Sequence, residues 1–486
     1  MKTLIKLTPI LLIAGLVISG MDILVAAGIA LFYAIFICKF VMGVSFNDVI
    51  EVVNEGAKEG VLCTIILLVA YPMTEAFLGT GVGAAVIRMF IGVGVTGRSV
   101  AMICFLAACL LSLATGTSWG TYAAILPMAL WLTNLVGGSI PMTFAACVGG
   151  ATFGDNFGLM SDTTILSSSI QGIKLTDRVR VQAPYAIACI VAASLVFFIS
   201  GATMGLSATV GDASNVLSNI PEETIEVLME ERPSVLSLLE QVESGVPVYM
   251  ILPVFLVIIL AFLRIDVIVC LLCGFASSIL LGITCGTVTS IGQVIDFLYH
   301  GFSGAGSWCV VTIILVCAFS GIMKKMAVFE SISNIYVSRC KKVRELIFCN
   351  GLVCLFMNMA LCEETAQVAT ATPLIKDALE KNVEGSEEDI YKLKIRNAIF
   401  SDAVGVMTAT LIPWHSGYAY YTSLADSLYP LHKFTYGDML FNYFCWISII
   451  VVFVFTITGL DRIIPNFGIP KEPAVRIKNR SVTEKL

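Results

Sequence analysis

Two stretches decide the reading of this chain: Phe153-Gly154-Asp155-Asn156-Phe157-Gly158-Leu159-Met160-Ser161-Asp162-Thr163 and Phe400-Ser401-Asp402-Ala403-Val404-Gly405-Val406-Met407-Thr408-Ala409-Thr410. They stand 247 residues apart and share their Phe, Asp, Gly and Met positions. Other matches follow in the same order. Pro9 and Asp22 stand thirteen apart in an apolar run, as do Pro253 and Asp266. Val49-Ile50-Glu51 with Gly56 answers Val294-Ile295-Asp296 with Gly301, and Thr64-Ile-Ile-Leu recurs as Thr312-Ile-Ile-Leu. The offsets drift only between 244 and 248, so the second half of the chain repeats the first. Membrane proteins built from two such halves place their polar centre between the halves.

Composition fixes the class. The chain is 57% hydrophobic and 13% charged, against roughly 25% charge in soluble domains. Runs near 4–20, 22–42, 60–80, 183–206, 247–263, 265–285, 305–323 and 440–460 approach the ~20 residues that cross ~30 Å of hydrocarbon. Backbone polar groups in lipid must be satisfied within the segment, so these runs are predicted as helices. Lys2 and Lys6 stand at the start of the first run in the manner of a signal peptide. Pro9 and Asp22 belong to the repeat, which argues against cleavage. The 16 cysteines are dispersed through apolar sequence and read as small core residues. Nothing in the charge pattern suggests nucleic acid, and no cofactor motif is found; Gly79, Gly81 and Gly83 follow no strand and make a nucleotide loop a poor reading.

Basic residues orient the chain. Lys174, Arg178 and Arg180, then Lys324, Lys325, Arg339, Lys341, Lys342 and Arg344, and the basic tail after 470 all fit a cytoplasmic face. Segment 207–246 holds eight carboxylates and a single Arg232, and suits the outside. These placements agree if each half makes five crossings plus one re-entrant hairpin, near 99–135 and 345–379. An odd number of crossings turns the second half upside down. The expectation is an all-α polytopic membrane protein of two inverted repeats, each about five transmembrane helices with a re-entrant helical hairpin and a broken helix. The first repeat spans 1–206, an acidic linker 207–246, the second repeat 247–460, and a cytoplasmic tail 461–486. Both termini are expected inside, in a plasma (inner) membrane.

Polar breaks occur at matching places in each half. The hairpin tips read Thr115-Gly-Thr-Ser-Trp-Gly-Thr and Cys362-Glu-Glu-Thr-Ala-Gln. Asp155 and Asp162 interrupt one apolar stretch and Asp402 the other, followed by Ile412-Pro413-Trp414-His415. A break frees carbonyls that bind cations and exposes helix N-termini that favour anions. Intramembrane carboxylates are expensive and mark function. Asp155, Asp162 and Asp402 are therefore candidate cation ligands. Asn156, Ser161, Thr163, Thr117, Ser118, Thr365 and Thr408 are candidate neutral ligands. Glu363 and Glu364 are candidates at the second tip, because two adjacent carboxylates rarely both stay charged and buried. Trp414 and His415 could shape a substrate pocket, although Trp more often packs and a lone His is more often a satisfied hydrogen-bonder. Either Asp155 or Asp162 could instead cap a half-helix.

With those motifs in hand, the chain resembles the NhaC-type Na+/H+ antiporters. The resemblance lies in Thr115–Thr121, in Gly154-Asp155 followed by Ser161-Asp162-Thr163-Thr164, and in Ile412-Pro413-Trp414. It covers roughly 5–460. It implies a fixed scaffold, a mobile transport domain, and exchange of Na+ for H+, with small carboxylates or amino acids carried by some relatives. The sequence departs from the family pattern at Gly158-Leu159, where Ser-Pro is common, and at His415, where Asn is common. The expected mechanism is alternating access, with Na+ held by an ionised carboxylate and H+ by the neutral one. The alternative is a Na+-coupled carrier or exchanger of a small carboxylate or amino acid. An intramembrane aspartyl protease built on Asp155 and Asp402 is the weakest reading, because Thr152-Phe-Gly-Asp lacks the expected glycine; no enzyme activity is expected. The expected partners are the bilayer, Na+ and H+, with a small organic anion or amino acid under the alternative. Helices near 22–42 and 265–285 lack polar breaks and suit a scaffold or homodimer surface.

Overall fold

The computed structural model describes residues 2–158, 161–214, 216–217, 225, 228–229, 233–263, 265–326 and 337–478. Leu159 and Met160 of the first break lie outside them. So do Glu222, Glu223, Glu226, Glu230, Glu231 and Arg232 of the acidic segment, and the tail from 479.

The described chain is mostly helical. The first half gives α1 (Lys2–Ile18), α2 (Ile23–Phe36), α3 (Phe46–Glu59), α4 (Val61–Thr80), α5 (Val82–Gly92), α6 (Val100–Thr115), α7 (Ser118–Leu135), α8 (Ile140–Phe157), α9 (Asp162–Gln171) and α10 (Leu175–Thr203). A connecting helix, α11 (Pro233–Ser244), follows. The second half gives α12 (Leu252–Phe262), α13 (Val267–Cys285), α14 (Ile291–Ala305), α15 (Ser307–Lys325), α16 (Val343–Leu361), α17 (Glu364–Asn382), α18 (Glu387–Ala409), α19 (Ser416–Leu428), α20 (Tyr436–Met439) and α21 (Tyr443–Thr458). Among the described residues, six segments are long and apolar enough to cross a membrane: Ile23–Val41, Phe46–Thr80, Leu175–Thr203, Val267–Cys285, Trp308–Lys325 and Val343–Leu361. The runs at the start of each half and near 440–460 form shorter helices. One departure from an all-helical chain is a small antiparallel ribbon, β1 (Val383–Gly385) with β2 (Val475–Ile477).

Residues matched by the repeat do the same local work. Asp22 and Asp266 each cap a helix, accepting from Leu24 N and Ile268 N at 2.8 Å. Gly56 of α3 faces α15, where an added Cβ would come within 2.5 Å of the Cys317 carbonyl oxygen; Gly301 of α14 faces α4, where a Cβ would meet the Pro72 Cα at 2.5 Å. Both glycines thus permit a close helix crossing. The packing follows suit: α2 and α3 lie on α15, while α13 and α14 lie on α4. Both hairpin helices also carry an internal proline, Pro127 and Pro373.

The acidic segment is partly built into the body. In α11, the Ser234 hydroxyl donates to the Glu75 carboxylate, and Gln241 Nε2 donates to the Gly79 carbonyl at 2.8 Å. Arg178, counted above among the basic residues of a cytoplasmic face, is fully buried on α10. A second departure is the exposed placement of Asp162 and Thr365.

Candidate functional site: two helix tips and a buried arginine

Helices α6 and α7 meet at a tight turn, as do α16 and α17. Gly116 makes the first turn with φ 68° and Cys362 the second with φ 58°. A left-handed conformation costs a non-glycine residue about 1 kcal/mol, so Cys362 is held there by its surroundings. Each turn presents the N-terminus of the following helix, at Ser118 and Glu364. The two ends meet: Trp119 Nε1 donates to Glu364 Oε1 at 3.4 Å.

The N-termini are satisfied differently. Glu363 caps its own helix, accepting from Thr365 N at 3.1 Å and Ala366 N at 2.5 Å. Thr117 stands at the corresponding place without a side-chain cap. The oxygen there comes instead from α8: Asp155 Oδ2 accepts from Ser118 N at 2.8 Å. A carboxylate at a helix N-terminus gains from the exposed N–H groups and the helix dipole. Asp155 is brought to this tip because α8 runs tightly along α6. Gly154 lies against Ser112, whose hydroxyl accepts from Gly154 N at 2.7 Å and donates to the Ala151 carbonyl.

Asp402, the repeat counterpart of Asp155, has another partner. Its Oδ2 forms an ion pair with Arg178, and both side chains are wholly buried. The Thr164 hydroxyl donates to the same oxygen at 2.9 Å. Arg178 also donates to the Thr164 carbonyl at 3.0 Å, Ser167 Oγ at 2.8 Å and the Asn156 carbonyl at 3.2 Å. Asn156 Oδ1 accepts from Gln182 at 3.1 Å. The guanidinium thus ties the C-terminal end of α8 to the first turns of α9. The same Thr164 hydroxyl lies 2.7 Å from the Asp155 carbonyl, so its one proton serves either oxygen, and Thr163 reaches that carbonyl at 3.3 Å. Ser161 caps α9 through Thr164 N at 3.3 Å and touches the Thr163 hydroxyl at 3.0 Å.

The remaining candidates form a third group. His415 Nδ1 accepts from Gly417 N at 3.0 Å, which caps α19. That contact assigns the proton to Nε2, which faces Asn358 Oδ1 at 3.1 Å. The Asn358 amide in turn donates to Thr408 Oγ1 at 2.8 Å and the Gly405 carbonyl at 2.9 Å. Trp414 Nε1 donates to the Met359 carbonyl at 2.8 Å. Both ring nitrogens of His415 and the Trp414 indole are therefore engaged in tying the second break together.

Thr117, Ser118, Asp155, Glu363 and Glu364 converge at the tips. Asn156 and Asp402 bond Arg178 directly, while Ser161 and Thr163 sit at the start of α9 and bond Thr164 N and the Asp155 carbonyl. Asp162 begins α9 at an exposed position, and Thr365 is exposed one residue beyond the tip. Sequence reasoning missed Arg178 and the aromatic wall. Tyr420 packs on Trp119 with ring centroids 4.2 Å apart and donates to the Trp119 carbonyl at 2.6 Å. Tyr122 donates to the Tyr421 carbonyl at 2.8 Å. A signal existed for Arg178: Gln182 and Tyr185 follow at helical spacing and make a polar stripe on an apolar helix.

Residues 2–202 and 150–460 match the sequence model of the Na+/H+ antiporter family. A malate-2H(+)/Na(+)-lactate antiporter of Bacillus subtilis is 22% identical over 462 residues, which span 89% of this chain and 88% of that protein. An uncharacterized Na(+)/H(+) antiporter of Haemophilus influenzae is 26% identical over 144 residues, 29% of this chain and 30% of the relative.

Proposed function

The chain belongs to the Na+/H+ antiporter family, and from that membership we propose that it exchanges Na+ for H+ by alternating access through the meeting point of its two tips. The observation that carries this reading is the pairing of the tips. Trp119 of one bonds Glu364 of the other, and Asp155 bonds the first tip at Ser118 N. No basic side chain is bonded to either carboxylate among the described residues. Asp155 and Glu364 are thus the groups free to exchange a cation for a proton, with hydroxyls such as Thr117 and Ser118 completing an oxygen shell. Asp402 has the opposite role: its charge is committed to Arg178, and it holds the broken segments together.

The halves act as inverted repeats, 1–206 and 247–460, joined by 207–246, with both termini and the tail 461–486 in the cytoplasm. The matched caps and glycines support the repeat, and the basic segments support the orientation. A protease site inserted between Ala208 and Thr209 is then cut from outside intact cells. Cleavage only from the cytoplasmic side reverses the orientation.

A second reading, exchange of a small carboxylate, is favoured by the whole-length similarity to a malate/lactate antiporter. It must bring an anion to a centre whose buried arginine is already paired. Proteoliposomes separate the two readings. A Na+ gradient alone moves protons in the first; proton movement that requires added malate or lactate supports the second and overturns the first.

A further inference from the structure

Away from the tips, a cavity of about 430 Å³ opens where α16 begins, α21 ends and the segment after α21 folds back. Its walls include Lys342, Arg344, Arg462 and Lys471, with Glu345 and Glu472. Both acids bond backbone amides and keep their charge. Glu345 Oε2 accepts from Lys341 N at 2.8 Å and Lys342 N at 3.2 Å, and Glu472 Oε1 accepts from Val343 N at 3.0 Å. Arg344 spends Nη1 on Asp461, at 2.9 Å, and on the Thr456 carbonyl, at 2.5 Å; its Nη2 is buried and unpartnered. Lys342, Arg462 and Lys471 make no ion pair among the described residues. Two guanidinium groups flank Gly459: Arg462 Nη1 lies 3.4 Å and Arg344 Nη2 3.7 Å from the point a Cβ there would occupy. Asp461 answers Arg344, and the lining bases Lys342, Arg462 and Lys471 still outnumber Glu345 and Glu472, so an anion between the two guanidinium groups balances the remaining positive charge.

The border of the cavity identifies the anion. Ile457 lines it, and Ile450, Val454, Ile457, Leu460 and Ile463 form an exposed apolar strip running from it along α21. A free inorganic anion has no use for such a strip, whereas an acyl chain does. We infer that this cavity binds the phosphate headgroup of an anionic phospholipid, with Lys342, Arg344, Arg462 and Lys471 around the phosphate and the tails along α21. Basic pockets between helix ends at a membrane surface recognise lipid headgroups in this way. The ligand bridges the base of the second hairpin, at Val343, to the folded-back segment carrying Lys471.

The test uses the purified full-length protein in detergent and native mass spectrometry. Wild type is titrated with phosphatidylglycerol or phosphatidylcholine, and compared with Lys342→Gln/Arg462→Gln/Lys471→Gln. Lys174→Gln/Arg180→Gln, at a different basic segment, controls for general surface charge. At about five-fold per basic group, the triple variant loses on the order of 100-fold in phosphatidylglycerol affinity, while phosphatidylcholine binding and the monodisperse elution profile stay unchanged. Three results overturn the assignment: equal retention of both lipids by wild type, the same loss in the control variant, or undiminished selectivity in a folded triple variant. A parallel arm adds millimolar inorganic phosphate; if phosphate alone binds as tightly as the lipid, the cavity is a free-anion site and the lipid assignment fails.

Discussion

At the residue scale, the two repeat-matched aspartates have parted roles, and the reason lies one helix away. In the second half Glu363 caps its own tip, so the aspartate of the neighbouring broken helix is released to pair with Arg178. In the first half Thr117 supplies no side-chain cap and Asp155 serves the tip. Different outcomes follow for the two substitutions. Asp155→Asn keeps an acceptor for Ser118 N but cannot take up a proton; it should insert and fold normally yet lose exchange in a proteoliposome assay. Retained exchange would remove Asp155 from the mechanism. Asp402→Ala leaves a buried guanidinium without its counter-charge, a change that costs about 3–5 kcal/mol and should appear as a large drop in thermal unfolding temperature. The companion Arg178→Met/Asp402→Leu removes both charges and should recover much of that loss; no recovery would mean the pair is not the source of the effect. The sequence made the carboxylates legible because an acid in an apolar run stands out. Arg178 was hidden because it stands close to Lys174 and Arg180, and a charge count assigns all three to one face.

At the scale of elements, the pairing of Gly56 with Gly301 shows what the repeat conserves in physical terms: room for a crossing helix rather than a sequence pattern. Both meet backbone atoms, which cannot give way as a flexible side chain does. Gly56→Ala and Gly301→Ala should each destabilise by about 1–3 kcal/mol through overpacking. Gly15→Ala in α1, where nothing lies within 4 Å, should be neutral or slightly stabilising. Thermal unfolding of the three variants checks this, and equal behaviour of all three would refute the close-crossing account. His415 illustrates the opposite limit. A histidine after a proline at a helix break suggests chemistry, but its nitrogens cap α19 and bond Asn358. His415→Asn, which can still cap, should retain exchange, whereas His415→Ala should lose about 1 kcal/mol of stability. Abolition of exchange by the Asn variant without loss of folding would return His415 to the transport chemistry. Such a distinction depends on where the ring points, which spacing alone does not contain.

At the scale of the whole molecule, the proposed alternating access requires that the two halves each take the conformation of the other, giving inward- and outward-open states of similar energy. The tips are joined by a long contact, 3.4 Å between Trp119 Nε1 and Glu364 Oε1, and by Tyr420, which packs on Trp119 and donates to its carbonyl at 2.6 Å. Such a junction can open without breaking a buried ion pair, while the Arg178–Asp402 pair keeps α8, α9, α10 and α18 together as one body. Motion should therefore separate the tips and leave the arginine cluster intact. Single cysteines at Thr117 and at Thr365, in a background lacking the native cysteines and still active in exchange, should change labelling in opposite senses as Na+ and pH are varied. A cysteine at Ser167, beside Arg178, should stay protected throughout. A ligand shifts such an equilibrium only by its unequal affinity for the two states, so the titration must span both ions. If labelling at 117 and 365 rises and falls together, both tips open to the same side and alternation between them is wrong. If Ser167 becomes reactive in step with transport, the cluster itself moves and the rigid unit must be drawn elsewhere.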